Sequence, residues 1–273
     1  MDNNGTDLMT TLHGSSAAGQ GIDVGLDAGI LTIAFNRPDK KNAITGAMYQ
    51  VMVDAMKAAQ ADAGVRVILI AGLPQIFTAG NDLEDFMKNP PTLADSPVFQ
   101  FMMQMVHATK PVIAAVSGAA VGIGTTLLLH CDLVYAADNA KFSMPFTQLG
   151  LCPEFGSSLL LQQGAGYRRA AEKLLFGDAF LADEACEMGL VNRVLPAAEL
   201  EAFVRAQAGK LAALPASSLQ ATKRLMKADQ RTAIEARINE ENAAFSAMLR
   251  APEAKEAFAA FFEKRRPDFS KFA

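Results

Sequence analysis

The amino-acid sequence predicts an α/β core that is followed by an all-helical C-terminal region. Several short apolar runs between residues 30 and 143 are rich in branched side chains and end at turn-forming residues, which is typical of strands. Between the first two runs lies a segment whose apolar residues stand three and four positions apart, which is typical of a helix. From about Ala197 onward only the helical spacing remains. Strands that alternate with helices and then give way to helices favour this architecture.

The predicted strands are short and apolar, and they lie at residues 30–35, 65–71, 112–116, 133–136 and 141–143. The first helix is predicted to begin after Thr45, because threonine is a favoured N-cap residue, and to end before Gly64. Its repeating apolar face comprises Met48, Val51, Met52, Ala55 and Ala59.

The C-terminal part contains two prolines at positions that suit helix starts. Pro215 and Pro252 each precede a run with helical apolar periodicity, and proline is favoured in the first turn of a helix. We therefore divide the chain into a flexible tail (1–20), an α/β core (21–200) and a helical region (201–273).

The composition excludes several kinds of chemistry. The 273 residues carry a net charge of −4, so we expect no nucleic-acid partner. Three cysteines without a C-x-x-C pair argue against a disulfide framework and against a thiolate zinc site, and favour a reducing, cytoplasmic location. Only three histidines are present, which makes a metal site or a histidine-based nucleophile a poor hypothesis. The chemistry must therefore rest on carboxylates, backbone groups or a bound cofactor.

One uncharged run, at residues 111–131, is long enough to be considered as a membrane span. Its β-branched first part meets a Ser-Gly break and then a glycine-rich turn, which favours two short elements over one helix. The first twenty residues lack the apolar stretch of a signal peptide. We therefore expect no membrane span.

The glycine-rich turn at residues 117–124 reads SGAAVGIG and follows a predicted strand. Amides at such a turn can bind a dinucleotide phosphate or a developing oxyanion, and the glycines can also serve only close packing. A short-chain dehydrogenase would need a Tyr-x-x-x-Lys pair. The three tyrosines, Tyr49, Tyr135 and Tyr167, are followed four residues later by Val53, Asn139 and Ala171. No base for that chemistry is present.

A second turn, FTAGNDL at residues 77–83, makes the oxyanion interpretation more specific. Together with NRPDKKNA at 36–43, the run SGAAVGIGTTLLLHCDLVYA at 117–136 and FFEKRRPDF at 261–269, it resembles the enoyl-CoA hydratase/isomerase (crotonase) superfamily. The motifs follow the family order and cover nearly all of residues 21–269.

This resemblance implies a crotonase-like (ClpP/crotonase) spiral of β-β-α turns, with C-terminal helices that assemble a homotrimer or a dimer of trimers. It also implies acyl-CoA thioester substrates, with no separate cofactor because CoA is part of the substrate, and no metal. The two oxyanion amides would belong to Asn81 and Ile123. The matched CoA-binding positions are Lys40, Lys41, Ala79, Gly80, Asp82, Leu83, Gly122 and, from a neighbouring subunit, Lys264. Lys40 and Lys41 are equally compatible with a solvated surface.

The carboxylates distinguish between branches of this superfamily. Hydratases of the family use two glutamates, and the matching positions here are Thr126 and Phe146, which cannot transfer a proton at neutral pH. Glu154 stands eight residues after Phe146 and directly after Pro153. The segment PFTQLGLCPEFGSS resembles the peroxisomal type of Δ3,Δ2-enoyl-CoA isomerase, in which the single catalytic glutamate follows the proline that matches Pro153. Moving a double bond from C3–C4 to C2–C3 needs only one base. We expect this isomerase activity. A 2-enoyl-CoA hydratase and a non-catalytic acyl-CoA-binding protein remain the alternatives.

Other conspicuous residues are expected to be structural. The aromatic repeat of Phe258, Phe261 and Phe262 is typical of a core or a subunit interface. His107 and His130 lie in apolar sequence and are expected to be packed and hydrogen-bonded, and Asp132 is expected to make structural hydrogen bonds.

Overall fold

The computed structural model describes residues 21–89 and 95–272. The predicted tail at 1–20 therefore lies outside the described residues. The chain begins with the hairpin β1 (Ile22–Asp27) and β2 (Ile30–Phe35), followed by helix α1 (Gly46–Ala61). As expected, Thr45 caps α1, and its side chain accepts a hydrogen bond from the Met48 amide.

The central part of the chain repeats one unit three times, namely two strands followed by a turn or a helix. The strand pairs are β3 (Val67–Ala71) with β4 (Ile76–Thr78), β5 (Val112–Val116) with β6 (Ala119–Val121), and β7 (Leu133–Ala137) with β8 (Lys141–Ser143). The helices between these pairs are α2 (Leu83–Lys88), α3 (Pro97–His107) and the short α4 (Ile123–Thr126).

Each strand pair contributes one strand to each of two sheets. The larger sheet has the order β1-β2-β3-β5-β7-β10, in which β10 is Arg193–Leu195, and the smaller one has the order β4-β6-β8-β9, in which β9 is Phe180–Leu181. Pairing is parallel except at the β1–β2 and β8–β9 edges. Each repeat adds one strand to the larger sheet and one to the smaller sheet, which is the geometry of a spiral of β-β-α turns. The predicted fold class is therefore confirmed.

The remaining helices come after β8, and the edge strands β9 and β10 lie on either side of α7. They are α5 (Ser157–Ala165), α6 (Tyr167–Phe176), α7 (Ala182–Glu187), α8 (Ala197–Ala213), α9 (Ala216–Lys227), α10 (Arg231–Met248) and α11 (Pro252–Phe262). The prolines at 215 and 252 stand at the starts of α9 and α11 as predicted. The division drawn between residues 200 and 201 falls inside α8, and it stays a prediction.

The six-stranded sheet is covered on both faces. Its inner face packs into the main core with α1 and α3, and its outer face packs on α8 through a second cluster that includes Leu69, Ile113, Leu200 and Val204. Burial on both faces explains why β2, β3 and β5 read as continuous apolar runs instead of alternating ones.

The predicted strand positions agree closely with the structure. The strands at 30–35, 112–116 and 141–143 have the predicted bounds, the predicted strand at 65–71 begins at Val67, and the one at 133–136 extends to Ala137. The uncharged run at 111–131 contains β5, β6 and α4. No helix in residues 21–89 or 95–272 is both long enough and apolar enough to cross a membrane.

The two histidine predictions had different outcomes. His130 is buried at 2% exposure and is hydrogen-bonded, as expected. The expectation for His107 is wrong, because its side chain is 48% exposed and its Nε2 lies 3.3 Å from Glu235 Oε1 on α10. His107 is the last residue of α3 and points away from the apolar stripe of that helix.

Asp132 joins the C-terminal helices to the sheet. Its Oδ2 accepts hydrogen bonds from the Val112 amide at 2.8 Å and from Lys223 Nζ of α9 at 2.6 Å. Lys223 is 5% exposed, and its Nζ also donates to the Lys110 carbonyl at 2.7 Å. Burial lowers the pKa of Lys223. The expected structural role of Asp132 is confirmed.

Replacing Asp132 should destabilise the fold, because it leaves the Lys223 ammonium buried without its anion. We expect Asp132→Ala to lower the free energy of unfolding by about 3–5 kcal/mol, measured by urea denaturation. The double variant Asp132→Ala/Lys223→Met should recover part of the loss, since no buried charge is then unpaired. Equal losses in the single and the double variant would contradict this explanation.

Candidate active site

The first glycine turn follows β4 and depends on a very close backbone contact. Gly80 has a φ of 86°, and a Cβ built on it would lie 2.7 Å from the Val121 carbonyl oxygen and 4.0 Å from the Gly122 Cα. The first distance is shorter than carbon and oxygen tolerate. Only glycine therefore allows the turn at residues 79–81 to approach the second turn.

The second turn leads from β6 into α4. Gly122 has φ 57° and ψ −120°, a backbone conformation that is essentially restricted to glycine, while its own Cβ position faces open space. A Cβ on Gly124 would lie 2.4 Å from Cγ2 of Thr78 at the end of β4. The two glycine-rich segments singled out in the sequence are thus direct neighbours.

Two backbone amides at these turns have no protein acceptor. Ile123 is the first residue of α4, where a helix leaves its amide without an internal partner. In the described part of the chain, neither the Ile123 amide nor the Asn81 amide donates a hydrogen bond to another protein group. Both residues line one cleft. The pair therefore offers two donors to a ligand oxygen.

A buried network holds the first turn in place. The side chain of Asn42 is fully buried, and its Nδ2 donates to the carbonyls of Ile76 at 3.1 Å and Phe77 at 3.0 Å. Thr78 Oγ1 donates to the Asn42 carbonyl at 2.6 Å and accepts a bond from the Gly80 amide at 3.0 Å. The loop that carries Lys40 and Lys41 is therefore fixed to the same turn.

Asp82 caps α2 and anchors the turn from the other side. Its Oδ1 accepts from the amides of Glu84 and Asp85, and its Oδ2 accepts from Arg37 Nη1 at 2.7 Å. Burial acts to raise the pKa of Asp82, but the hydrogen bonds from Arg37 and from the amides outweigh it and hold the pKa below its usual value. The Asp82 side chain therefore acts as a structural anion at the edge of the cleft.

The cleft at these turns has a volume of about 570 Å³, which lies within the ordinary range for small-molecule sites. It brings together most of the residues singled out in the sequence, namely Lys40, Lys41, Ala79, Gly80, Asn81, Asp82, Leu83, Gly122 and Ile123. Its opposite wall is aromatic and comprises Phe86, Phe146, Phe245, Phe258, Phe261 and Phe262.

The phenylalanines of α11 are expected in a core or a subunit interface, and Phe258 is buried as a core residue is. Phe261 and Phe262 are not in the core of the single chain, because they are 59% and 43% exposed and line the cleft together with Phe258. A subunit interface at Phe261 and Phe262 stays a prediction. Lys264 is exposed and is absent from the cleft lining of its own chain, so its predicted contact from a neighbouring subunit stays a prediction.

Glu154 is buried and is not among the residues that line the cleft. It is 4% exposed, and its Oε1 accepts a hydrogen bond of 2.5 Å from Thr126 Oγ1. Thr126 is the last residue of α4, whose first residue is Ile123, so Glu154 is hydrogen-bonded to the helix that begins with a free amide. Within residues 21–89 and 95–272, no group forms a hydrogen bond with Oε2 of Glu154. From the sequence, Thr126 is notable only because it occupies a position where hydratases of the family have a glutamate. In the structure its hydroxyl orients the Glu154 carboxyl.

Burial changes the acidity of Glu154. Desolvation disfavours its charged form, the bond from Thr126 opposes that effect, and the negative charge of Glu241 adds to it; together they raise the pKa of Glu154 to about 8. A carboxyl with this pKa can both accept and return a proton near neutral pH.

A strained turn presents Glu154. The next two residues, Phe155 and Gly156, have φ values of 60° and 70°, and for a phenylalanine this conformation is costly. The Phe155 ring is fully buried and stacks on the His130 ring with centroids 3.9 Å apart, and His130 Nε2 donates to the Phe155 carbonyl at 2.7 Å. Burial lowers the pKa of His130 to about 3, so this imidazole is neutral. Sequence reasoning could not anticipate this arrangement.

Tyr49 connects the carboxyl with the first turn. Its hydroxyl donates to Asn81 Oδ1 at 2.5 Å, and the tyrosine is 3% exposed. Burial, together with the nearby charge of Glu154, raises the pKa of Tyr49 well above its usual value. The sequence excludes Tyr49 as a dehydrogenase base and indicates no other role for it. The structure shows that its hydroxyl orients Asn81, whose amide faces the cleft.

The raised pKa of Glu154 links stability to pH. The native state keeps this proton above the ordinary carboxyl pKa of 4.5 and releases it near 8, so its contribution to the free energy of unfolding is complete below 4.5 and is lost as the pH rises to 8. We expect the melting temperature of Glu154→Gln minus that of the wild type, measured by calorimetry, to increase as the pH rises from 4.5 to 8, because only the wild type loses this contribution. The matched variant Glu240→Gln, at an exposed position, should show no such trend; an identical trend in both variants would refute the assignment.

The comparisons with known proteins agree with this geometry. The family model described as enoyl-CoA hydratase/isomerase matches residues 25–271. The enoyl-CoA delta isomerase 2 of Rattus norvegicus is 38% identical over 234 residues, which are 84% of this chain but only 59% of the rat protein. The 2,3-dehydroadipyl-CoA hydratase of Escherichia coli K12 is 33% identical over 242 residues, 88% of this chain and 94% of that protein.

A solved structure shows the same architecture. The structure of OdaA from Pseudomonas aeruginosa superposes with a TM-score of 0.87 at 49% identity, and the match covers 89% of this chain and 98% of that one. The family model, the relatives and the solved structure each match more than four fifths of this chain. The chain belongs to the enoyl-CoA hydratase/isomerase (crotonase) family.

Proposed function

We propose that this protein is a Δ3,Δ2-enoyl-CoA isomerase in which Glu154 moves the proton. The observation that carries the proposal is the buried Glu154 carboxyl, which has a pKa of about 8 and is hydrogen-bonded to Thr126 on the short helix that begins with the free Ile123 amide. The rat relative, named an enoyl-CoA delta isomerase, supports the same reaction.

The reaction begins with the thioester oxygen at the two turns. The Asn81 and Ile123 amides donate to that oxygen, which acidifies the C2 protons and stabilises the enolate; a single donor of this kind is worth about 2.7–4 kcal/mol in known enzymes. The Glu154 carboxylate takes one proton from C2, and the electron pair of the broken C–H bond extends the C3–C4 double bond into a dienolate. Glu154 then returns the proton at C4, and the double bond remains at C2–C3.

The environment of Glu154 suits a proton that leaves and returns. Its free Oε2 has the lone pairs to accept the proton, while Thr126 fixes the other oxygen. Burial excludes bulk water, so the proton stays with the enzyme between the two steps.

The CoA portion would lie towards the cleft rim. Lys40 and Lys41 are exposed there and supply positive charge for phosphates, and the turn at residues 79–83 supplies backbone and apolar contacts. The Lys264 contact and the trimeric assembly remain part of the proposal. Exposed apolar side chains on α6 and nearby, among them Tyr167, Leu175, Phe176 and Leu181, support an interface with further copies of the chain.

A 2-enoyl-CoA hydratase is the second candidate, because the Escherichia coli relative is named a hydratase. Adding water needs groups that handle both the water and the α-proton. Thr126 is committed to Glu154, and Phe146 is a buried aromatic residue. Glu154 alone would have to serve both steps, which favours the isomerase.

Replacing the carboxyl tests its role directly. We expect Glu154→Gln to lower kcat for a 3-enoyl-CoA by about 10²–10⁴-fold, since an amide cannot accept the C2 proton. The rise in absorbance of the conjugated thioester measures the rate, and thioester binding should persist. Glu240→Gln is the matched control and should turn over like the wild type. Turnover near the wild-type rate in Glu154→Gln would refute the assignment.

The same assay separates the candidates. Wild-type protein that converts a 3-enoyl-CoA and leaves a 2-enoyl-CoA nearly unchanged is an isomerase. Rapid loss of absorbance with the 2-enoyl-CoA identifies a hydratase, and binding without change in either substrate identifies an acyl-CoA-binding protein.

The pH dependence supplies an independent prediction. Because the base form of Glu154 exists above its pKa of about 8, kcat/KM should rise about tenfold per pH unit below that value and level off above it. Initial rates from pH 6 to about pH 9.5 measure this profile. A flat profile across this range would contradict a base with the predicted acidity.

A further inference from the structure

Glu241 is a second buried carboxylate, and it belongs to α10, far from Glu154 in sequence. It is 6% exposed, and its Oε2 accepts a hydrogen bond of 2.5 Å from the Gly156 amide. Its Oε1 accepts bonds from the Ser158 amide at 3.0 Å and from Ser158 Oγ at 2.5 Å. All three donors lie directly after the strained residue Phe155.

These bonds fix the junction between the Glu154 turn and α5. Gly156 is the N-cap of α5 but has no side chain to satisfy the first amides of the helix. The Glu241 carboxylate supplies acceptors from another element instead. A negative group at a helix start is also favoured by the helix dipole. The left-handed pair Phe155–Gly156 is thus held by His130 on one side and by Glu241 on the other.

We propose that Glu241 is a positioning residue for the isomerisation: its carboxylate holds the turn that carries Glu154 and presents a second negative charge to that carboxyl. This inference rests on the proposed function, since it assumes that Glu154 is the base. Glu241 is not among the residues that line the cleft. Its effect must therefore pass through the backbone of residues 154–158 and through its charge.

Glu154 faces groups from several elements. Tyr49 of α1 and Thr126 of α4 lie beside it, Cys152 precedes it in the same loop, and His130 stacks on its neighbour Phe155. Tyr49, Cys152 and His130 are all uncharged near neutral pH, because burial raises the pKa of the phenol and the thiol and lowers that of the imidazole. Glu241 is therefore the charged group that Glu154 responds to.

The state of Glu241 follows from its partners. Burial raises the pKa of Glu241 above its usual value, and the bonds from Ser158 and Gly156 and the charge of Arg237 on the same helix offset this effect only in part. Both carboxylate oxygens accept from N–H donors, an arrangement that needs the acceptor form. Removing this charge should therefore make Glu154 a stronger acid.

The test compares Glu241→Gln with Glu240→Gln, which removes the same charge from the adjacent, exposed position on α10. In Glu241→Gln the midpoint of the kcat/KM profile should move down by roughly half a pH unit, the scale of a screened interaction between neighbouring carboxylates. We also expect kcat to fall about tenfold with little change in KM, because the base is displaced while the thioester site is intact. Glu240→Gln should keep the wild-type midpoint.

A second measurement needs no turnover. In protein labelled with ¹³C at the glutamate carboxyls, NMR titration reports the pKa of Glu154, whose resonance is assigned by its loss in Glu154→Gln. A lower Glu154 pKa in Glu241→Gln than in Glu240→Gln supports the proposal. Equal values in the two variants overturn it, whatever happens to kcat, because a general loosening of the fold does not act through this charge.

The two proposals fail in distinguishable ways. Wild-type protein without isomerase activity refutes the proposed function. The NMR comparison would still measure whether the charge of Glu241 changes the pKa of Glu154. Normal isomerisation with identical pH midpoints and identical Glu154 titration in both variants refutes only the role of Glu241.

Discussion

The contact between two glycine turns is the constraint on which the site depends. Gly80 and the Val121 carbonyl approach so closely that no Cβ fits between them, and Gly124 meets Thr78 in the same way. This contact lets β4 and β6 lie side by side in the smaller sheet while their turns expose amides to one cleft. Any side chain at Gly80 would separate the turns and move the Asn81 and Ile123 amides apart.

The interior beside this contact is unusual because it holds two carboxyls where a core ordinarily holds none without cationic partners. Glu241 is compensated by amide and hydroxyl donors, whereas Glu154 has one hydroxyl donor and one free oxygen. The difference in hydrogen bonding is consistent with two roles: Glu241, which has three donors, is structural, and Glu154, which has one donor, can exchange a proton. The burial of the Glu154 carboxyl and the left-handed backbone of Phe155 are both energetically unfavourable, and they occur at adjacent residues.

Much of the fold and the candidate site was predictable because their signals are local. Strands such as β2 and β5 are continuous branched runs, and the turns contain glycines that a chain reversal requires. The strands β4 and β6 were missed, because each leads directly into a glycine-rich turn and its residues were assigned to that turn. His107 was misassigned since its sequence neighbours are apolar although the helix directs it outward. Tyr49 and Glu241 act through partners more than thirty residues away, which no local pattern reports.

The amide donors have a consequence for how variation in this protein should be interpreted. Both belong to the main chain, so substitution of Asn81 or Ile123 by any residue other than proline retains the N–H group. A complete scan of side-chain replacements would therefore record Ile123 as a packing site and Asn81 as the hydrogen-bond partner of Tyr49, and it would detect neither amide. Chemical synthesis that exchanges a single amide for an ester deletes the donor while keeping the side chain. Only that kind of backbone editing measures what these two positions contribute.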